Sequence, residues 1–200
     1  MSISSEEAKL ILEPHVENLQ MCVSMGLKEY SDAYSGYRSL HSPWTRASLV
    51  RDHIVEQVKK VFDEIEGIKI IQKRGLLLVS IEGKLLLRFK KFDRRMLTRN
   101  NPTQQAFRFS EQLSIPGFPP AATNINVGYM PNELWTDVFK VLITCPNGSA
   151  SINWYIDITS DVKSVSPLVL PKKNETTKKR IRVRNIDKDQ VGSQKLENYL

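Results

Sequence analysis

Two hundred residues with 40% apolar side chains are enough for one domain with a proper core, or one domain and a tail. The net charge of +7 is unevenly spread: residues 171 to 200 hold nine Lys/Arg against four Asp/Glu, which leaves only +2 for residues 1 to 170, so a nearly neutral body carries a basic end. Two cysteines, Cys22 and Cys145, exclude a disulfide-stapled secreted scaffold; no apolar run approaches 18 residues and acids stand where a signal peptide carries cations, so a cytoplasmic, non-membrane protein with reduced thiols is expected.

In chain order, Ser4-Ser5-Glu6-Glu7 reads as a capping box ahead of Leu10, Ile11, Val16, Leu19 and Val23, with Pro14 kinking or restarting the helix. Tyr30, Tyr34 and Tyr37 follow at helical spacing, a stripe that reads as packing. Ser42-Pro43 supplies an N-cap and first-turn proline for a long helix to about residue 66. Val50, Ile54, Val58, Val61 and Ile65 give that helix one continuous apolar face, and Gly67 ends it.

Residues 68 to 92 read as three short strands joined by tight turns at Lys73-Arg74-Gly75 and Glu82-Gly83-Lys84. The third strand changes character halfway. Alternation puts Leu85, Leu87, Phe89 and Lys91 on one side and Leu86, Arg88, Lys90 and Phe92 on the other, so one strand delivers paired cations to the end of an apolar sheet.

A polar link leads to a helix over residues 103 to 113, capped by Thr103, and then to a rigid surface loop at Pro116-Gly117-Phe118-Pro119-Pro120. Strands are expected over residues 125 to 130, 138 to 145 and 151 to 158, the last two forming a hairpin at Pro146-Asn147-Gly148. In the last strand Ile152, Trp154, Ile156 and Ile158 point inward and Asn153, Tyr155 and Asp157 outward. The expected architecture is α+β: N-terminal helices and a long helix packed on a mainly antiparallel sheet of about six strands. It divides into a helical segment 1–40, an α+β core 41–160 and a basic, flexible tail 161–200.

The order helix, three strands, helix, strand is also that of the restriction-endonuclease-like nucleases. Their chemistry needs an acid on the second strand and an acid-x-Lys on the third to hold Mg²⁺ and steady the attacking water. Residues 75 to 81 have no acid, Glu82-Gly83-Lys84 sits in a turn, and Arg88 stands where a metal ligand belongs. His15 and His41 lack the i, i+4 arrangement of helical metal ligands, and no phosphate loop, nucleophile elbow, Cys-His constellation or kinase signature occurs. No metal and no cofactor are expected.

Phosphate chemistry without a metal needs less: a base, and cations to neutralise charge on phosphorus. Arg46 and His53 share a stripe of the long helix, with Glu56 a turn beyond; if that stripe borders the third strand, His53, Arg46, Arg88 and Lys90 form one site. The competing reading is a boundary histidine satisfied by a hydrogen bond, beside solvated cations. Lys91, with Lys172, Lys173, Lys178, Lys179, Arg180, Arg182 and Arg184 of the tail, is a candidate for sequence-independent nucleic-acid contact.

Ser42-Pro43-x-Thr45-Arg46-Ala47, Asp52-His53, Leu87-Arg88-Phe89-Lys90-Lys91-Phe92, Asn101-Pro102-Thr103-Gln104-Gln105, Ile115-Pro116-Gly117-Phe118-Pro119-Pro120 and Gly128-Tyr129 together resemble a bacterial protein family of about this length. The resemblance spans residues 40 to 158. It implies that the chain is encoded beside a helix-turn-helix protein with a zinc-peptidase-like domain, as in toxin–antitoxin or phage-defence pairs. The motifs describe no known reaction, so the resemblance implies a partner and a role, not a mechanism. The expected function is the effector of such a pair, neutralised by a cognate helix-turn-helix-type protein; the alternative is a non-enzymatic regulatory or binding protein that docks a partner or nucleic acid through the sheet edge or the tail.

Overall fold

The computed structural model describes residues 2 to 73 and 75 to 159. The basic segment 161–200, with Lys172, Lys173, Lys178, Lys179, Arg180, Arg182 and Arg184, lies outside the described residues.

The chain opens with α1 (Ser5–Leu12), where the Ser4 hydroxyl accepts a hydrogen bond from the Glu7 backbone N–H at 3.2 Å. Pro14 lacks an N–H to donate, and the backbone tightens into a single 3-10 turn, Glu13–His15, before α2 (Val16–Ala33) begins. Ser42 caps α3 (Pro43–Phe62) by accepting from the Thr45 N–H at 3.1 Å. The helix ends at Phe62, earlier than its apolar periodicity suggests. Ile65 still packs on the core, but from a turn that Gly67 completes at φ +80°.

Six strands follow: β1 (Ile68–Lys73), β2 (Leu76–Ile81), β3 (Leu85–Lys91), β4 (Thr123–Pro131), β5 (Val138–Asn147) and β6 (Ser151–Asp157). They lie in the sheet in chain order, antiparallel throughout except for β3 and β4, which are parallel. The fold is therefore α+β with a mixed, mostly antiparallel sheet. A parallel pair needs a crossover. Residues 92 to 122 supply it, including α4 (Gln104–Ser110), which starts where the Thr103 hydroxyl accepts from the Ala106 N–H.

That crossover covers the second face of the sheet. On the first face α1, α2 and α3 bury Leu12, Leu19, Val23, Leu27, Val50, Ile54, Val58 and Phe62 against Val79, Leu87, Phe89, Val127 and Ile143. The helices before residue 40 thus share one core with the sheet instead of forming a separate segment. On the second face Phe109, Ile115 and Phe118 pack on Leu76, Leu78 and Leu86. The proline-rich loop expected at the surface is consequently part of a core, because Ile115 and Phe118 are almost wholly buried. α4 stops at Ser110, short of Leu113, where Gln112 takes φ +55° and turns the chain back toward the sheet.

β6 alternates half-buried and exposed residues as its sequence requires. Cys22 and Cys145 are free and buried, and burial pushes the Cys22 thiol up to about 12. Among the described residues no helix is long and apolar enough to cross a membrane.

The tightest helix contact falls at Gly26, where an added Cβ would meet Ile54 Cγ1 at 2.5 Å and the Ile54 backbone N at 2.7 Å. The backbone part of that clash has no flexible side chain to relieve it. Gly26→Ala should therefore destabilise the protein by about 1–3 kcal/mol, despite alanine's better helix propensity. A urea-unfolding midpoint equal to or above wild type contradicts this packing.

Candidate functional site

Strand alternation decides where the four nominated residues go. Leu87 and Phe89 belong to the core beneath α1, α2 and α3, whereas Leu86 belongs to the core beneath the crossover. Arg88 and Lys90 share the side of Leu86, and the Arg88 guanidinium lies over the Phe109 ring of α4 at 5.5 Å. His53 and Arg46, on α3, occupy the other layer. No contact joins His53 or Arg46 to Arg88 or Lys90 among the described residues: His53 is turned to Glu29 of α2, and of the α3 side chains it is Arg51 that bears on the two cations.

On the α3 side most polar groups are paired, although the buried Tyr129 hydroxyl has no partner. His53 Nδ1 sits 3.3 Å from Glu29 Oε2 of α2, and the Gln57 side-chain amide donates to Glu29 Oε1. The Arg46 Nε–H donates to the His41 carbonyl at 2.9 Å, and His41 Nδ1 is 3.1 Å from the Tyr30 hydroxyl. Arg46 and Lys91 flank the Trp135 ring at 5.6 and 5.4 Å. This arrangement fits the boundary-histidine reading, and it places Lys91 at an aromatic contact.

Arg88 and Lys90 stand in a different environment. β2 and β3 are paired only from Ile81–Leu85 to Val79–Leu87, while β1 continues to pair with β2 and β4 with β3. The sheet therefore splits beside Arg88 and Lys90. Both side chains are half-buried, and neither has a carboxylate within ion-pair distance among the described residues. Burial, reinforced by Arg51 of α3, pulls the Arg88 guanidinium down to about 10. Burial together with Arg88 and Arg51 pulls the Lys90 amine down to about 8. Arg88 and Lys90 thus repel each other and Arg51, and of the three only Arg51 has an anion beside it, Asp52 at 3.0 Å. The contact recorded for Lys90 is a long one, 3.4 Å from its Nζ to the Arg99 carbonyl.

A polar row continues from Arg88. In register it opposes Asn126 of β4, which opposes Thr144 of β5. Asn126 and Thr144 are 4% and 1% exposed, yet Asn126 Oδ1 and Thr144 Oγ1 have no hydrogen-bond partner. An orphaned buried oxygen costs about 1–3 kcal/mol, so two in adjacent register positions need a reason. The loop after β3 adds a third. Asp93 Oδ1 accepts from the backbone N–H groups of Arg95 and Leu97, Thr98 bridges back to Phe92, and Asn100 is carried over the sheet with its Oδ1 also unpartnered. Gln112 anchors the other wall through bonds to the Asn124 backbone and the Pro146 carbonyl. Between these walls runs a narrow cleft of about 20 Å³, room for roughly one water, lined by Asn100, Asn126, Thr144 and Phe109 among others but by neither Arg88 nor Lys90.

Two half-buried cations without a carboxylate partner suit an anionic ligand. Among the described residues no three His, Cys, Asp or Glu side chains gather to hold a metal ion. Asn100, Asn126 and Thr144 escaped sequence reading, although β4 carried a signal. Thr123-Asn124-Ile125-Asn126-Val127 places two poor strand formers on one side of a strand whose other side is apolar. No protein-family model, curated protein or solved structure matches the chain.

The Lys90 amine makes the stability pH-dependent. It holds its proton to about 10.5 in the unfolded chain but only to about 8 when folded, so between those values the unfolded state binds more protons and stability rises with pH. Below pH 8 the full penalty is present. Lys90→Met should remove that rise and stabilise the protein at pH 7 by about 1 kcal/mol. Urea unfolding at pH 7 and 9.5 checks both; identical pH dependence in wild type and variant contradicts the assignment.

Proposed function

We propose that this chain is the effector of a bacterial toxin–antitoxin-like or phage-defence pair, restrained by a cognate helix-turn-helix-type protein, and that it works by gripping a phosphate group through Arg88 and Lys90. The observation that carries the chemistry is the uncompensated cation pair at the split in the sheet, where burial makes both charges costly until an anion arrives. The paired role is supported by the resemblance across residues 40 to 158. Nucleic acid is the ligand class that suits a chain of net charge +7 with phosphate-seeking cations.

The reading is one of binding and neutralisation. A base for hydrolysis would have to come from elsewhere, since His53 faces the other layer and is engaged with Glu29. That same observation favours a second reading, a non-enzymatic regulatory protein that binds nucleic acid and docks its partner through the sheet edge or the basic end.

Expression without the partner protein separates these readings. An effector arrests growth; Arg88→Met and Lys90→Met, which keep the apolar stems, relieve the arrest at unchanged or higher melting temperature, and His53→Ala does not. Arrest that persists in both Met variants overturns the phosphate site. Absence of arrest from the wild-type chain overturns the effector role and leaves the regulatory one.

A further inference from the structure

Strand β6 is an outer edge of the sheet, and among the described residues only β5 pairs with it. The N–H of Ile158, just beyond the strand, donates to the Val141 carbonyl. By the two-residue alternation of an antiparallel pair, Ile158, Ile156 and Trp154 therefore bond to β5, whereas Tyr155 and Asp157 turn their N–H and C=O groups outward. A register shift leaves Asn153 without a β5 partner, which limits the regular edge to residues 154 to 158. The helix over this edge is α1, tied to it by the Trp154 indole N–H, which donates to the Ile3 carbonyl at 3.0 Å. Between α1 and the sheet opens an apolar groove of about 450 Å³, lined by Leu10, Leu12, Val16, Ile143, Ile156 and Ile158, and Leu10 is 73% exposed. Natural sheets usually blunt such an edge, and here it runs along an open apolar groove.

The charges that border the groove say what fits there. On α1 and the turn after it, Lys9 lies between Glu6 and Glu13; all three are exposed, and none is ion-paired among the described residues. The order acid, base, acid is its own complement when two such helices run antiparallel, because each Lys9 then faces the acids of the other copy. The strand has the same property. With Ile156 set opposite Ile156 of a second copy, Tyr155 meets Asp157, a phenol against a carboxylate, and Trp154 meets Ile158, two apolar side chains. A twofold axis perpendicular to the sheet satisfies both matches at once. It runs the two β6 strands antiparallel and keeps both helical layers on one side, so the two α1 helices face each other. We propose that the chain forms a twofold dimer through β6 and α1, which joins two six-stranded sheets into one and closes both grooves, with Leu10 of each copy covered. Strand hydrogen bonds and apolar burial supply the affinity, and the exposed charges fix register and orientation.

Sedimentation velocity of the full chain at concentrations up to about 100 μM tests this. The expected result is a species of twice the chain's mass that dissociates on dilution. Tyr155→Pro removes an N–H that β5 does not use, so it leaves the circular dichroism unchanged and weakens the dimer about tenfold or more. Leu10→Glu, at an exposed position that spares the fold, does the same by placing charge in the grooves. Lys9→Glu makes the border wholly acidic, and Glu6→Lys with Glu13→Lys makes it wholly basic. Each of these chains sediments as a monomer alone, and mixing them restores the double mass, which also shows that both are folded. A wild-type chain that keeps the mass of one copy at every concentration overturns the dimer. A dimer that survives both Tyr155→Pro and Leu10→Glu overturns its placement at β6 and the groove, and charge variants that stay monomeric when mixed overturn the pairing of the α1 helices.

Discussion

Alternation along β3 is the constraint on which the rest of this structure depends. Because Leu85, Leu87 and Phe89 must enter the core beneath α1, α2 and α3, Leu86, Arg88 and Lys90 are forced under the crossover. Nothing in that second layer neutralises them. The crossover instead contributes Phe109 as an apolar lid and a loop of further polar groups, and the sheet opens next to the cations where β2 parts from β3. A strand that ended in Leu or Val here would close a second core without strain. The cost of holding two cations in its place is the reason to read this corner of the fold as a site.

The two faces of the sheet handle polar groups in opposite ways. On the α3 face most polar groups have found company, the buried Tyr129 hydroxyl excepted: His53 with Glu29, Glu29 with Gln57, Arg46 with the His41 carbonyl, Tyr30 with His41, and Trp135 with two cations. Such a cluster holds helices in register and asks nothing of solvent. On the crossover face Arg88, Lys90, Asn100, Asn126 and Thr144 all have capacity left over. Buried capacity of that kind is costly to the fold.

Much of the fold was legible because its signals are local. Ser4 and Ser42 cap helices by bonds within one turn, Pro14 interrupts a helix for want of an N–H, and the turns around Gly75, Gly83 and Gly148 set three hairpin connections. Alternation in β3 also sorted its residues correctly into two sides. What the sequence withheld was which side faces which layer. Placing His53 next to Arg88 required the imidazole and β3's polar half to meet, whereas tertiary packing turns His53 to Glu29 and brings Arg51 to bear on the cations. The second layer was hidden for a related reason. Ile115 and Phe118 sit in a proline-rich loop with no periodicity to announce burial, and the parallel pairing of β3 with β4 spans a crossover with a helix of only seven residues. The orphaned oxygens of Asn126 and Thr144 become visible only when β3, β4 and β5 are laid side by side.

The most direct measurement of the central claim is an NMR titration of the Lys90 side-chain amine in the full chain, with and without sulfate. The account predicts that the free protein titrates near 8 and that sulfate raises this value, because a bound anion stabilises the charged amine. A free-protein value near the ordinary 10.5, unmoved by sulfate, would show a solvated lysine and contradict the site.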